Sequence, residues 1–221
     1  MDLIEAMNQR HSVRSFSDKK IEGEVLVALE NKIRELNQES GLNIQLVLNE
    51  PKAFTSRLAR YGKFENATDY IALVGPKSSD LDEKVGYFGE KLVLFAQTLG
   101  LNTCWVALTY KKIKDTYVVG DDEKLSMVIA IGYGNTQGRQ HNSKTFEKVC
   151  KNVNNPPKWF INGVNAALLA PTAMNQQKFT FGLEDNKVIA KAGFGFYTKI
   201  DLGIAKYHFE LGANNPNFYW I

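Results

Sequence analysis

"KVGYFGEKLVLFAQTLGL", residues 84–101, is the strongest helical pattern in the chain. Its apolar residues recur at the spacing of one helix face, and Gly100 stands where a left-handed C-terminal residue ends such a helix. Working outward from it, "DYIALVG" (69–75) before it and "LSMVIAIGYG" (125–134) after it read as buried strands, and "LNIQLVLNE" (42–50) alternates like a half-buried one. Between helix and strand, "LGLNTCWVALTY" (99–110) predicts a short extended segment. Nearer the N-terminus, Glu22 to Leu36 places Val25, Leu26, Leu29, Ile33 and Leu36 at helical spacing. Asp2 is an N-cap for a short helix with Leu3, Ile4 and Met7 on one face. Helices mixed with strands in this order predict an α+β fold in which a mixed sheet is flanked by helices.

Asn154-Asn155-Pro156-Pro157 is the clearest break and divides the chain into residues 1–153 and 154–221. The tail repeats part of the earlier order. A helix over Lys158–Leu169 precedes a strand over Lys178–Leu183, as Glu22–Leu36 precedes Leu42–Leu48. "DLGIAKYHFELGA" (201–213) echoes "YFGEKLVLFAQTLG" (87–100), with Gly203 on Gly89 and Phe209 on Phe95. The pattern reads as an internal duplication whose second copy is shorter.

The bulk properties bound the function. A chain of 221 residues, 44% hydrophobic, buries a sizeable core without disulfide or metal staples. Cys104 and Cys150 form no framework of paired cysteines, and with no leader ahead of them they read as reduced thiols of a cytoplasmic protein. Apolar runs such as Leu92–Ala96 are far too short to span a bilayer, so no membrane partner is expected. Net charge is +3, from 27 basic and 24 acidic residues spread along the chain. That balance tolerates an anionic ligand and lacks the basic, aromatic-studded stripe of a nucleic-acid binder.

Two stretches concentrate chemistry. "MNQRHSVRSF" (7–16) packs Arg10, His11, Ser12 and Arg14 into five positions. Such a cluster suits a helix C-terminus facing water, where carbonyls point outward. It equally suits an oxyanion site, because Arg offers forked donors, Ser adds a hydroxyl, and two Arg four apart can converge on a phosphate. "APTAMNQQKF" (170–179) concentrates Thr172, Asn175, Gln176 and Gln177 between a helix and a strand. It reads as turn chemistry, with Pro171 stopping the helix, or as a rim of neutral donors and acceptors for a flat heterocycle. Cys104 has no nearby His or carboxylate to activate it and reads as packing. His11, His141 and His208 have no metal-ligand spacing, and "GYGNTQG" (132–138) lacks the dinucleotide spacing of glycines.

Taken together, these motifs resemble the flavin-dependent nitroreductase superfamily, in its tandem-repeat branch. "RHSVRSF" looks like the family's Arg-[Arg/His]-Ser-x-Arg signature for the FMN phosphate and ribityl chain. "APTAMNQQKF" is similar to its Pro-Ser-x-x-Asn-x-Gln-Pro-Trp segment, which lines the flavin ring. "LGLNTCWVAL" resembles its Leu-Gly-Leu-Gly-Thr-Cys-Trp-Ile-Gly segment, and "MVIAIGYGN" with Arg139 and "SKTFEKV" resembles its terminal strand and basic tail. The order departs from most of the family: the second segment usually follows the second helix, whereas here it begins near residue 171. Ser is replaced by Thr172, Pro-Trp by Lys178-Phe179, and Gly by Asn102. The expected architecture is therefore a nitroreductase-like sheet whose duplication mimics the family dimer, acting as a monomeric pseudo-dimer. The first copy would keep the phosphate end of the site and the second the ring end.

The resemblance implies FMN as cofactor and NADH or NADPH as hydride donor. A small electron acceptor, such as a nitroaromatic or quinone, would be reduced in a ping-pong cycle. It places Arg10, Ser12, Arg14, Lys144 and Arg139 on the phosphate and His11 beside the ribityl chain or ring edge. Pro171, Thr172, Asn175 and Gln177 would flank the ring, the backbone at Ala107 and Leu108 would face N5, and Lys63 would stand near N1 and O2. Lys63 also reads as a solvated loop lysine. No side chain need act as general acid or base. The alternative is a non-catalytic flavin carrier or sensor.

Overall fold

The computed structural model describes residues 1–57, 59–151 and 153–221. In chain order the elements are helices α1 (Leu3–Gln9) and α2 (Gly23–Ser40), strand β1 (Asn43–Val47), a single-turn helix α3 (Lys52–Thr55) and a 3₁₀ turn (Ala59–Gly62). Strand β2 (Asp69–Pro76), helix α4 (Leu81–Thr98) and strands β3 (Asn102–Val106) and β4 (Glu123–Gly132) follow. Next come short helix α5 (Phe146–Val149), helix α6 (Lys158–Ala167), a 3₁₀ turn (Ala173–Asn175), strands β5 (Phe179–Glu184) and β6 (Lys187–Ala192), helix α7 (Thr198–Ala213) and strand β7 (Tyr219–Trp220). The α+β class expected from the sequence holds. The half-exposed β6 and the two-residue β7 carry too little periodicity to have been foreseen.

Tertiary contacts group the chain into two compact units. One comprises Arg10–Leu81 and Leu92–Gln140; the other comprises Met1–Gln9, Asp82–Lys91 and His141–Ile221. The sequence reading sets its boundary at residues 153–154, whereas the contacts assign α1 and the first half of α4 to the same unit as the tail.

The first unit is built on an antiparallel sheet in the order β1-β2-β4-β3. β2 is interior and buried along almost its whole length, which is why "DYIALVG" reads as continuously apolar. On one face Phe16, Phe54, Tyr70, Val106 and Tyr110 form an aromatic-rich core around Cys104. Helix α2 ends at Gly41, whose φ of 70° lets its N–H close on the Asn37 carbonyl at 2.9 Å. The Asn37 side chain then clasps Ile44, accepting its N–H at 2.7 Å and donating to its carbonyl at 2.9 Å. That clasp sets the register at which β1 leaves the helix.

In the second unit β5 pairs antiparallel with β6, and β6 pairs parallel with β7. Phe160, Phe181, Phe209, Phe218, Trp159 and Trp220 interlock in edge and stacked contacts above this sheet. The first half of α4 crosses α7 almost backbone to backbone. A Cβ at Gly86 would fall on the Ile200 carbonyl, and one at Gly203 on the Glu83 carbonyl. These two contacts set α4 and α7 close together along the stretches whose sequences echo one another. Deep in this unit the His208 ring lies between the Glu90 carboxylate at 2.9 Å and the Ala166 carbonyl at 3.2 Å.

Candidate functional site

The basic stretch directly follows the end of a helix and runs on through single backbone bridges. Helix α1 stops at Gln9, and the following residues thread between three partners within their unit. Ser12 bridges Thr103 in parallel, with the Val13 N–H on the Thr103 carbonyl at 3.0 Å. Ser15 bridges Glu65, whose N–H bonds the Arg14 carbonyl at 2.9 Å, and Phe16 bridges Gly134. Along the stretch Arg10 and Val13 are buried, Ser12 is half-buried and Arg14 is exposed. Arg10, Ser12 and Arg14 all act on Cys104. Burial pushes that thiol up, and the Arg14 charge, a hydrogen bond from Ser12 and the Arg10 charge all oppose the rise. Two guanidinium groups and a hydroxyl thus lie near enough to bear on one thiol. The cluster follows directly on the C-terminus of α1 and is held by backbone hydrogen bonds to Thr103 and Glu65.

Burial, and then the Arg10 charge, hold the His11 imidazole below the usual histidine range. Its buried Nδ1 has no hydrogen-bond partner. Gly138, at φ 79°, packs on it so closely that a Cβ there would lie 2.6 Å from the His11 Cβ and 3.0 Å from the Ser12 carbonyl oxygen. The glycines of "GYGNTQG" therefore let this loop approach the basic stretch. Arg139 follows directly on the loop and is exposed. Asn102, which departs from the family's glycine, supports the same loop: it accepts the Gly134 N–H at 2.9 Å and donates to Gln137 at 3.2 Å. Lys63 is exposed at φ 54°, two residues from the bridged Glu65. Ala107 and Leu108 lie just past the end of β3, with Leu108 exposed.

Lys144, Pro171, Thr172, Asn175 and Gln177 belong to the other unit. There the amide-rich loop is a closed hydrogen-bond cage. Gln177 is buried, donates to the Asn142 carbonyl and to Asn175 Oδ1, each at 2.8 Å, and accepts the Lys144 N–H at 2.8 Å. Its own N–H bonds Thr172 Oγ1 at 3.1 Å, and Asn175 donates to the Asn142 carbonyl at 2.9 Å. The Lys144 ammonium, expected from the resemblance on the phosphate, instead donates to the carbonyls of Gln176 and Gln177 at 2.7 and 2.9 Å. Gln177 and Lys144 thus shape the loop, while the side chain of Asn175 remains exposed on it. Pro171 is buried at its start.

Sequence reasoning missed Asp201. Its buried carboxylate accepts the Ala173 N–H at 2.9 Å and the Gln176 side-chain amide at 2.7 Å. Burial pushes it up to about 6 against those two hydrogen bonds. An acid in the first turn of a helix is a common dipole partner, so its type and position gave no signal of this role. Among the described residues no group of three or more His, Cys, Asp or Glu could hold a metal ion, and no helix is long and apolar enough to cross a membrane.

The chain and its fold match known proteins. The model of the family described as "Putative TM nitroreductase" matches residues 2–213. A putative nitroreductase from Thermotoga maritima superposes with a TM-score of 0.69 at 24% identity, covering 96% of this chain and 83% of that one. A putative NADH oxidase from Clostridium acetobutylicum gives 0.52 at 20% identity, over 69% of this chain and all of its own. A putative NADH dehydrogenase/NAD(P)H nitroreductase from Parabacteroides distasonis also gives 0.52, at 19% identity over 68% of this chain and 98% of its own. No curated protein matches. Because the family model spans nearly the whole chain, the chain belongs to this family of the nitroreductase superfamily, and its fold is theirs.

Proposed function

We propose that the protein is an FMN-dependent oxidoreductase that takes a hydride from NADH or NADPH and reduces a small acceptor such as a nitroaromatic or quinone. The observation that carries this reading is that Arg10, Ser12 and Arg14 all bear on Cys104 where their segment bridges Thr103. Two guanidinium groups and a hydroxyl are the donor set of a phosphate monoester. The unpartnered, buried Nδ1 of His11 beside the Gly138 loop is a further polar atom available to a bound group. The residues therefore fit FMN. Family membership supports the flavin, and the names of the two relatives with a TM-score of 0.52, a putative NADH oxidase and a putative NADH dehydrogenase/NAD(P)H nitroreductase, support nicotinamide as donor.

Bound flavin would supply the two-electron chemistry, passing on what NAD(P)H delivers. The protein's own part is to bind and orient. Arg10, Ser12 and Arg14, with Arg139 on the adjoining loop, hold the phosphate. His11 stays neutral near pH 7 and offers a hydrogen bond without adding charge. Lys63 and the backbone at Ala107 and Leu108 are assigned to the ring on the same unit. In the other unit Thr172 and Asn175 are neutral polar groups at the surface of the loop shaped by Pro171, Gln177 and Lys144. Overall, one NAD(P)H and one proton convert a quinone to a hydroquinone, or a nitro group to a nitroso group and water. Solvent supplies the proton.

The duplication is part of the reading: the chain acts as a monomeric pseudo-dimer. The echo of residues 87–100 in residues 201–213, carried by two helices that pack closely on each other, supports it. Sedimentation as a dimer at all concentrations would argue against it.

The test is the visible spectrum of the protein supplied with FMN, before and after anaerobic NADPH and then NADH. Bands that stay with the protein and bleach with either donor are expected. Retained bands that never bleach would favour a carrier or sensor, and no retained flavin would end the proposal.

A further inference from the structure

The turn "GFGFY" (193–197) holds two aromatic rings out in water. Phe194 is 99% exposed and Phe196 87%, in a unit whose other Phe and Trp side chains interlock. The turn itself is well held. The Gly193 N–H donates to the Lys178 carbonyl at 2.7 Å, the Gln176 side-chain amide to the Phe196 carbonyl at 2.9 Å, and the Thr198 hydroxyl to the Gly195 carbonyl at 3.3 Å. These bonds fasten it to the amide-rich loop, where Met174 is also fully exposed. A fixed backbone that presents three large apolar side chains forgoes the stabilisation their burial would give, and such surface marks a binding site.

The chemistry of the occupant follows from the surroundings. The rings offer faces and edges to another flat π-system. The Lys178 ammonium lies against Gly195, between the two rings in sequence, 3.1 Å from where a Cβ would stand. The patch is also small: at roughly 150–250 Å² per aromatic side chain, it falls short of the ~800 Å² that each partner buries in a stable protein interface. We propose that Phe194 and Phe196, with Lys178 at the base, bind a planar aromatic molecule carrying a carboxylate or sulfonate. This site goes beyond the oxidoreductase reading and does not depend on it.

The test is binding without turnover. Calorimetric and saturation-transfer titrations of the full chain use 4-nitrobenzoate, 1,4-naphthoquinone-2-sulfonate and uncharged nitrobenzene. The expected result is that Phe194→Ala with Phe196→Ala weakens all three by about tenfold, as the loss of two stacking contacts predicts. Lys178→Gln is expected to weaken only the two anions. An unchanged dissociation constant in the double variant, or no binding to the wild-type chain, would overturn the proposal. So would a double variant that keeps probe binding but loses self-association, which would make the patch an interface between copies. Visible absorbance of the same samples reports flavin separately. Probe binding that needs the phenylalanines in a chain retaining no flavin would sustain this site and sink the redox reading.

Discussion

The Gln176 side-chain amide donates to one oxygen of the Asp201 carboxylate at 2.7 Å, while the other oxygen accepts the Ala173 N–H at 2.9 Å. One buried acid thereby joins the N-terminus of α7 to the amide-rich loop. Burial raises this carboxyl from an ordinary 3.8 to about 6, so between those values the folded chain holds a proton that the unfolded chain releases. Stability from this group is full below pH 4 and is lost as pH rises through 6, by about 3 kcal/mol. Urea unfolding of wild type and Asp201→Asn between pH 4 and pH 7.5 checks it. The difference between the two chains should shift by that amount across the window. A difference independent of pH would refute the assignment.

Arg14 and Asn175 lie on the two candidate stretches and should respond unequally. Losing a charge-assisted contact at Arg14→Ala is expected to weaken FMN binding about 10- to 100-fold, with a shallower salt dependence of what remains. Asn175 already bonds Asn142 and Gln177 within its loop, so Asn175→Ala should weaken FMN by less than about tenfold. Fluorescence titration with FMN reads both. Unchanged affinity in both variants would remove these residues from the cofactor site.

The helix crossing makes a sharper stability prediction. Gly86→Ala or Gly203→Ala would push a methyl group into the backbone of the opposite helix. Each should cost about 3 kcal/mol in urea unfolding. Gly182→Ala, where the nearest atom to the new Cβ is 3.7 Å away, is the control and should cost far less. Equal effects at all three positions would contradict the close crossing.

Buried between a carboxylate and a carbonyl, His208 must donate through Nδ1 to Ala166 and share a proton with Glu90 through Nε2. Glu90→Ala would leave a buried ring nitrogen without this partner and is expected to cost about 3 to 5 kcal/mol. Glu90→Gln can still donate an N–H to a neutral imidazole, so thermal or urea unfolding should show a smaller loss. A Glu90→Gln variant as unstable as Glu90→Ala would mean the carboxylate charge itself is required.

The elements written in local patterns were readable before any coordinates. Helical spacing over residues 84–101 became α4, which starts three residues earlier and ends just before the Gly100 that was expected to close it. "DYIALVG" and "LSMVIAIGYG" became β2 and β4, because burial on both faces writes a continuous apolar run. The unusual residue types of the basic cluster and the amide-rich loop could be picked out for the same reason: they are local in sequence. What those residues do to one another was not local. Only folding brought the backbone around Ser12 to Thr103 and that of Arg14 to Glu65, residues 50 or more positions away. Tertiary contact also took Lys144 for the carbonyls of Gln176 and Gln177 and gave Asp201 its hold on the loop. Sequence by itself determined the long helices, the apolar strands and the family, because periodicity and motif are properties of neighbouring residues. The partners of each polar group were decided by tertiary structure alone, because a hydrogen bond acts over about 3 Å of space regardless of separation along the chain.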